Sequence, residues 1–191
     1  VPLYDEAWNS RREGDEFAPS GGKVPILWDE GDVVVWDSLA IIDYLNEKTG
    51  GARGYWPTDP AARAMARSMA AEMHSSFAAL RRSHSMNIRA QFPAQPLSPA
   101  VEADVGRILQ IWAEARARFG GSGEFLFGAW GAADIMFAPV VTRFITYSIP
   151  VARFALPYMQ AVISHPHVQE WIGGAQAEDW VIDKFEGPVQ G

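Results

Sequence analysis

The segment from residue 24 to residue 48 constrains the fold more than any other part of the chain. Two short runs rich in β-branched residues, Val24–Trp28 and Val33–Trp36, flank a compact turn that contains glycine, and this pattern predicts a β-hairpin. A helix is predicted to follow from Ser38 to Lys48, because its apolar residues recur on one face and Gly50 can adopt the left-handed conformation that ends a helix. The sequence therefore predicts a strand–turn–strand–helix unit here.

The two ends of this unit carry groups suited to a small peptide-like ligand. Pro25 interrupts the first strand, so the backbone beside it is free to pair with a molecule other than a neighbouring strand. Ser38 opens the helix, where exposed backbone N–H groups and the positive end of the helix dipole attract a carboxylate. The adjacent acid, Asp37, can receive an ammonium group. Together these features predict a site for a peptide backbone that ends in a free amino acid.

From residue 59 onward the sequence predicts helices and no strand. Two of the helices begin with a capping residue followed by proline, at Asp59–Pro60 and at Ser98–Pro99. A third, from Ala132 to Tyr147, is apolar on most faces, and such a helix is expected at the centre of a bundle. The predicted helices span residues 60–83, 99–119, 132–147, 152–164 and 166–175. A glycine-rich linker precedes them, so the predicted domains are residues 1–50 and 59–191.

The composition argues against several kinds of partner and site. A net charge of −7 is unfavourable for binding nucleic acid, which usually requires a basic face, and 48% hydrophobic residues is typical of a globular protein. The sequence contains no cysteine, so disulfides and thiolate chemistry cannot come from these residues. The histidines have no metal-ligand residues near them in the sequence, and no metal is expected. Since no apolar run is long enough to cross a bilayer, the expected location is cytoplasmic.

The order and spacing of these segments resemble those of the cytosolic glutathione transferases. In the helical half, the stretch Phe127–Asp134 is similar to the one that begins the family's buried helix. In the family, an acid bonds back to the helix-cap residue three positions earlier. In this chain the acid is Asp134, and Gly131 occupies the cap position. The stretches Glu72–Ser75 and Met86–Arg89 look like a bacterial branch of the family. The resemblance extends over nearly the whole chain.

The resemblance implies a fold and an activity. The implied fold is a thioredoxin-like α/β N-terminal domain, incomplete in this chain, joined to an all-helical C-terminal bundle. The implied activity is the transfer of glutathione, as co-substrate and without a metal, to small apolar electrophiles by a cytoplasmic homodimer, a chemistry of detoxification. Two other functions stay open. One is a non-catalytic module for protein interaction or ligand carriage, and the other is a glutathione-dependent isomerase or lyase.

The resemblance also implies roles for individual residues of the first domain. Val24 would pair through its N–H and C=O with the cysteinyl backbone of glutathione, beside a cis peptide bond at Pro25. Ser38 would hold the γ-glutamyl carboxylate and Asp37 the α-ammonium group, while Lys23 would contact the glycyl carboxylate. Each of these segments also has an interpretation without a ligand. Val24–Pro25 would then be a strand-ending turn, Asp37–Ser38 a simple helix cap and Lys23 a solvated lysine.

The electrophile pocket is expected on the long helix that begins at Pro60. The resemblance implies that Met73, Phe77 and Arg81 line it. Methionine suits promiscuous apolar surfaces. Methionine and phenylalanine recur at every fourth residue along this helix. That spacing places them on one face, which also fits packing in the core or in a dimer interface.

The residue that activates the glutathione thiol has no match in this sequence. In the family this Ser, Tyr or Cys lies near the end of the first strand, and that strand and the first helix precede the segment that Val1–Leu3 resembles. The chain is therefore expected to begin at the family's second strand. Tyr4 and Ser10 lie beyond the expected position and are not assigned.

Overall fold

The computed structural model describes residues 6–121, 123–183 and 186. The chain divides into two compact units, Val1–Tyr55 and Trp56–Gly191. The expected strand at Val1–Leu3, and Tyr4 with it, lie outside the described residues. The domain limits predicted from the sequence, residues 1–50 and 59–191, stay predictions.

The first unit is built around a β-hairpin. Its described elements are α1 (Glu6–Arg11), a 3-10 helix (Asp15–Ser20), β1 (Ile26–Asp29), β2 (Val33–Trp36) and α2 (Ser38–Lys48). The strands are antiparallel, with Ile26 opposite Trp36 and Asp29 opposite Val33, so the predicted hairpin is confirmed. The predicted helix from Ser38 to Lys48 is confirmed as well.

Residues 6–20 form structure that the sequence pattern does not predict. Phe17, in the 3-10 helix, is buried, and its ring meets that of Trp8 edge to face with the ring centroids 5.4 Å apart. An ion pair between Arg11 and Glu16, 2.8 Å long, spans α1 and the 3-10 helix. The aromatic contact anchors a segment whose remaining side chains are mostly exposed.

The second unit is helical. Its helices are α3 (Pro60–Ser75), α4 (Ala78–Ser83), α5 (Pro99–Phe119), α6 (Ala132–Thr146), α7 (Ala155–Ser164) and α8 (Pro166–Ala177). Both predicted cap-then-proline starts are confirmed, since Asp59 accepts a hydrogen bond from the Ala62 N–H and Ser98 accepts one from the Val101 N–H. These side chains satisfy backbone donors that the first turn of a helix leaves without intrahelical partners.

The prediction of one helix over residues 60–83 is wrong. The helix ends at Ser75, and Phe77 adopts a left-handed conformation with φ of 58° before α4 begins. The Leu80 N–H, in the first turn of α4, donates to the carboxylate of Asp104 on α5 at 2.9 Å. This contact satisfies a donor that an unbroken helix would have satisfied internally, so a partner distant in sequence compensates for the break.

The core of the second unit surrounds α6, as the sequence predicts for a helix with little polar surface. Trp112 of α5 is fully buried, and its ring centroid lies 5.6 Å from that of Phe137 and 5.7 Å from that of Phe144, both on α6. The ring of Tyr158 on α7 lies 4.8 Å from Trp112. Burial of such large side chains stabilises the unit by about 1.5–3 kcal/mol each.

Candidate functional site

The strand register brings the two sequence-predicted ligand segments of the first unit side by side. Ile26 and Trp36 are paired across the hairpin. The next residue outward from Ile26 is Pro25, and the next outward from Trp36 is Asp37. Paired residues in an antiparallel ladder have Cα atoms about 4.5–5.5 Å apart, so the segments 24–25 and 37–38 emerge together. We call this place, formed by residues 23–25 and 37–38, the open end of the hairpin.

The first side of the open end is an exposed backbone segment. The Val24–Pro25 peptide bond is cis, which confirms the expectation drawn from the resemblance. The Val24 side chain is 56% exposed, and among the described residues neither its N–H nor its C=O has a backbone partner. Lys23 is exposed too, and its ammonium group forms no ion pair within the described part of the chain.

A serine hydroxyl fixes the turn that leads into this backbone segment. The Ser20 Oγ accepts a hydrogen bond from the Lys23 N–H at 2.9 Å. The same hydroxyl lies 2.5 Å from the Lys23 carbonyl oxygen and 3.0 Å from that of Phe17, and it can donate to either. The backbone groups of Lys23 therefore face the Ser20 hydroxyl, whereas Val24, the next residue, has no backbone partner among the described residues.

The second side of the open end is the start of α2. Asp37 is a non-glycine residue with φ of 75°, a conformation that costs about 1–3 kcal/mol and that concentrates at ligand sites. Its Oδ1 caps the helix by accepting from the Leu39 N–H at 2.9 Å. Ser38 is the first residue of α2 and is half-buried. This side of the site therefore combines a carboxylate, a hydroxyl and the positive end of a helix.

A polar network that the sequence analysis does not predict ties the hairpin to α2. The carboxylate of Asp29, the last residue of β1, accepts from the Tyr44 hydroxyl at 2.6 Å and forms an ion pair with Lys48. The hydrogen bond from Lys48, then those from Tyr44 and the Glu30 N–H, lower the pKa of Asp29 to about 2. The spacing of Tyr44 and Lys48, four residues apart on one face of a helix, is the signal that could have indicated a shared partner.

The predicted electrophile-pocket residues all lie in the second unit. Met73 on α3 is 6% exposed, and Phe77, at the break between α3 and α4, is 5% exposed. These two side chains contribute to the core in this structure, as the packing alternative describes. Arg81 on α4 is exposed, and its Nη1 donates to the His74 carbonyl at 3.0 Å. Their role toward an electrophile stays a prediction.

The predicted acid at the start of the buried helix has the expected geometry. Asp134 is 1% exposed; its Oδ2 accepts from the N–H of the cap residue Gly131 at 3.0 Å, and its Oδ1 accepts from the Leu126 N–H at 3.1 Å. Burial raises the pKa of Asp134 to about 7, although these two hydrogen bonds act in the opposite direction. The carboxyl group thus holds α6 to the loop that precedes it.

No catalytic hydroxyl is assigned. Ser10 lies exposed on α1, and Tyr4 is outside the described residues. In the ranges 6–121, 123–183 and residue 186, no group of three or more His, Asp or Glu side chains could hold a metal ion. Over the same ranges, none of the helices combines the length and the apolar surface that a membrane crossing requires.

Two family models match the chain. The model of the glutathione S-transferase N-terminal domain matches residues 1–48, which include the open end of the hairpin. The model of the glutathione S-transferase C-terminal domain matches residues 98–174, from the cap of α5 into α8. No curated protein matches the chain.

Solved structures of glutathione transferases share the fold. A homologue from Burkholderia GL BGR1, with bound glutathione, is 25% identical; the match covers 82% of this chain and 75% of that one, with a TM-score of 0.61. Glutathione transferase F2 from Populus trichocarpa is 15% identical. The match covers 93% of this chain and 86% of that one, with a TM-score of 0.61. The transferase URE2P6 from Phanerochaete chrysosporium, in complex with oxidised glutathione, is 16% identical. The match covers 92% of this chain and 83% of that one, with a TM-score of 0.58.

The structure and these matches agree on the architecture. A small thioredoxin-like N-terminal domain with two antiparallel strands precedes an all-helical C-terminal domain. Both family models match in the order that the elements have along the chain. The chain therefore belongs to the glutathione S-transferase family.

Proposed function

We propose that this protein binds glutathione at the open end of the hairpin and transfers it to small apolar electrophiles. The observation that supports the ligand site most directly is the strand register, which sets the Val24–Pro25 segment beside the start of α2. The Burkholderia and Phanerochaete structures, which contain glutathione and oxidised glutathione respectively, support the choice of ligand. Membership of the family supports transferase activity in general terms.

Each charged or polar part of glutathione has a complementary group at the open end. The N–H and C=O of Val24 pair with the cysteinyl backbone, as one strand pairs with another. The Ser38 hydroxyl and the backbone N–H groups at the start of α2 hold the γ-glutamyl carboxylate. The carboxylate of Asp37 receives the α-ammonium group, and the exposed ammonium group of Lys23 contacts the glycyl carboxylate.

The proposed reaction is a nucleophilic displacement. Glutathione loses its thiol proton to solvent water, and a hydroxyl-bearing residue, expected from the family but not matched in this sequence, donates a hydrogen bond that stabilises the thiolate. The sulfur forms a bond to the electrophilic carbon, and the leaving group departs with its electron pair. Electrophile binding is assigned to Met73, Phe77 and Arg81. The active form is proposed to be a cytoplasmic homodimer, as the resemblance implies.

Calorimetric titration of reduced glutathione into the protein, followed by assay with 1-chloro-2,4-dinitrobenzene, tests the proposal. We expect saturable binding with a Kd at or below about 1 mM, and conjugate formation faster than the uncatalysed reaction. Mass spectrometry of the product distinguishes a conjugate from an isomerised substrate with regenerated glutathione. Absence of glutathione binding would contradict the whole proposal.

A second candidate function is glutathione binding without catalysis. The observation that supports it is the strand register, which sets the Val24–Pro25 segment beside the start of α2 and bears on ligand binding alone. Saturable binding of glutathione, with conjugate formation no faster than in a protein-free control, would select this candidate over the transferase.

A further inference from the structure

Two arginines of the second unit lie on α4 and α6, two helices whose ends are joined by a hydrogen bond. Arg81 is on α4, and Arg143 is in the last turn of α6. The Nε of Arg143 donates to the carbonyl of His84, the residue that ends α4, at 2.9 Å. The end of α6 is thereby held against the end of α4, and the charge of Arg81 acts on Arg143. Arg81 is also one of the residues to which electrophile binding is assigned.

Both guanidinium groups are hydrogen-bonded to carbonyl oxygens instead of acids. The Nη1 of Arg143 donates to the Pro139 carbonyl at 3.0 Å, and that of Arg81 donates to the His74 carbonyl at 3.0 Å. In the described part of the chain neither arginine forms an ion pair. A carbonyl group carries no net charge, so the two positive charges remain uncompensated by an acid.

The surroundings of Arg143 make an anion favourable there. The pKa of Arg143 is lowered to about 10, first by burial and then by the charge of Arg81, while Tyr147 acts in the opposite direction. His84 is buried as well, and its pKa is lowered first by burial and then by the charge of Arg143. None of the groups that act on Arg143 is a carboxylate. A bound anion would offset both the desolvation and the repulsion between the arginines.

We infer that Arg81 and Arg143 together bind a carboxylate, and that the preferred electrophile is an apolar molecule that carries one. A guanidinium group offers parallel N–H donors that match the two oxygens of a carboxylate. In Arg143 only Nε and Nη1 donate within the described residues, so Nη2 is left for a ligand. The choice of electrophile depends on the proposed transferase function, whereas the anion site does not.

A matched pair of electrophiles tests the preference. The pair is 4-(chloromethyl)benzoate and its methyl ester, which share a reactive carbon and differ in charge. In both, the thiolate sulfur bonds to the benzylic carbon, and chloride leaves with the electrons of the carbon–chlorine bond. We expect a kcat/KM for the acid at least about tenfold above that for the ester, because only the acid carries a negative charge that can form an ion pair with the guanidinium groups.

Substitutions assign the preference to the two arginines. Arg81→Gln and Arg143→Lys are each expected to lower the ratio of kcat/KM for the acid to kcat/KM for the ester about tenfold or more. Arg82→Gln removes an exposed neighbouring charge and serves as the matched control. We expect it to leave kcat/KM for the acid and for the ester unchanged. Because Arg81 is exposed, its variant is expected to fold even where the Arg143 variant does not. Equal losses for acid and ester in Arg81→Gln would overturn the inference.

A binding measurement decides the anion site without any catalysis. Crystals of the protein are soaked in 4-iodobenzoate and, separately, in methyl 4-iodobenzoate, and the iodine is located by anomalous scattering. We expect the carboxylate about 3 Å from nitrogens of both Arg81 and Arg143, and no ester at that position. Acid bound elsewhere, or acid and ester bound alike, would overturn the inference. If neither electrophile is turned over but the acid occupies this site, the proposed transferase function fails and the anion site stands.

Discussion

Ser38 begins α2 at the open end of the hairpin, beside the strained backbone of Asp37. In the proposed complex its hydroxyl donates to the γ-glutamyl carboxylate, and the substitution Ser38→Ala removes that bond. We expect glutathione binding to weaken by about 1–3 kcal/mol, measured by calorimetric titration. Ser68→Ala, on the surface of α3, is a control that should leave the Kd unchanged. An unaltered Kd in Ser38→Ala would remove Ser38 from the site.

Asp134 predicts a pH dependence of stability. The pKa of Asp134 is about 7 in the folded protein, above the ordinary value of 3.8 for the unfolded chain. At a pH between these two values, the folded state holds a proton that the unfolded state releases. The contribution of this group to the free energy of unfolding therefore falls as the pH rises from about 4 to about 7, and changes little above that. Urea unfolding of the original protein and of Asp134→Asn, at several pH values across this range, measures the contribution. The variant should have a flatter profile, and parallel profiles would contradict the prediction.

At the scale of secondary-structure elements, a hydrogen bond between α4 and α5 satisfies a backbone donor just after the break between α3 and α4. The buried Leu80 donates its N–H to Asp104 of α5. Asp104→Ala leaves that donor without its partner and should lower the free energy of unfolding by about 1–3 kcal/mol in urea titrations. Asp104→Asn keeps an acceptor oxygen and should lose less. If both variants were as stable as the original protein, the contact would not support the break.

The hairpin and α2 are joined by the network around Asp29, which also predicts a response to acid. The pKa of Asp29 is about 2 in the folded protein, below its ordinary 3.8, because Lys48 and Tyr44 stabilise the charged form. The network therefore stabilises the folded state above about pH 4, and this contribution is lost as the pH falls towards about 2. Asp29→Asn should be less stable at neutral pH and should lose less stability on acidification, measured by thermal unfolding. A variant that loses stability in parallel with the original protein would contradict this.

At the scale of the whole molecule, the family resemblance implies an assembly of two chains. We expect light scattering after size-exclusion chromatography to give about twice the chain mass of 21.0 kDa at micromolar concentration. The mass is measured at several concentrations, because a weak dimer dissociates on dilution. A constant mass of one chain would contradict the homodimer.

Much of the fold follows from local sequence, whereas the ligand roles at the open end of the hairpin stay predictions. The hairpin and the caps at Asp59 and Ser98 are confirmed, because each depends on residues within a few positions of one another. The acid at Asp134 is expected through the resemblance and has the expected hydrogen bond to the cap residue. The cis bond at Pro25 was expected only through the resemblance and is present. The sequence pattern does not predict the elements at residues 6–20, since segments of six residues are too short to show a clear periodicity.

The sequence by itself determined where the hairpin and the capped starts of α3 and α5 lie, because backbone preferences and capping are local properties of the chain. Only the tertiary structure decided that the helix predicted over residues 60–83 breaks at Phe77, since the Leu80 donor finds its acceptor on α5, 24 residues further along. It also decided that Arg143 donates a hydrogen bond to His84 at the end of α4, 59 residues earlier in the chain. Such contacts depend on how helices pack in space, and no short-range pattern in the chain specifies that packing.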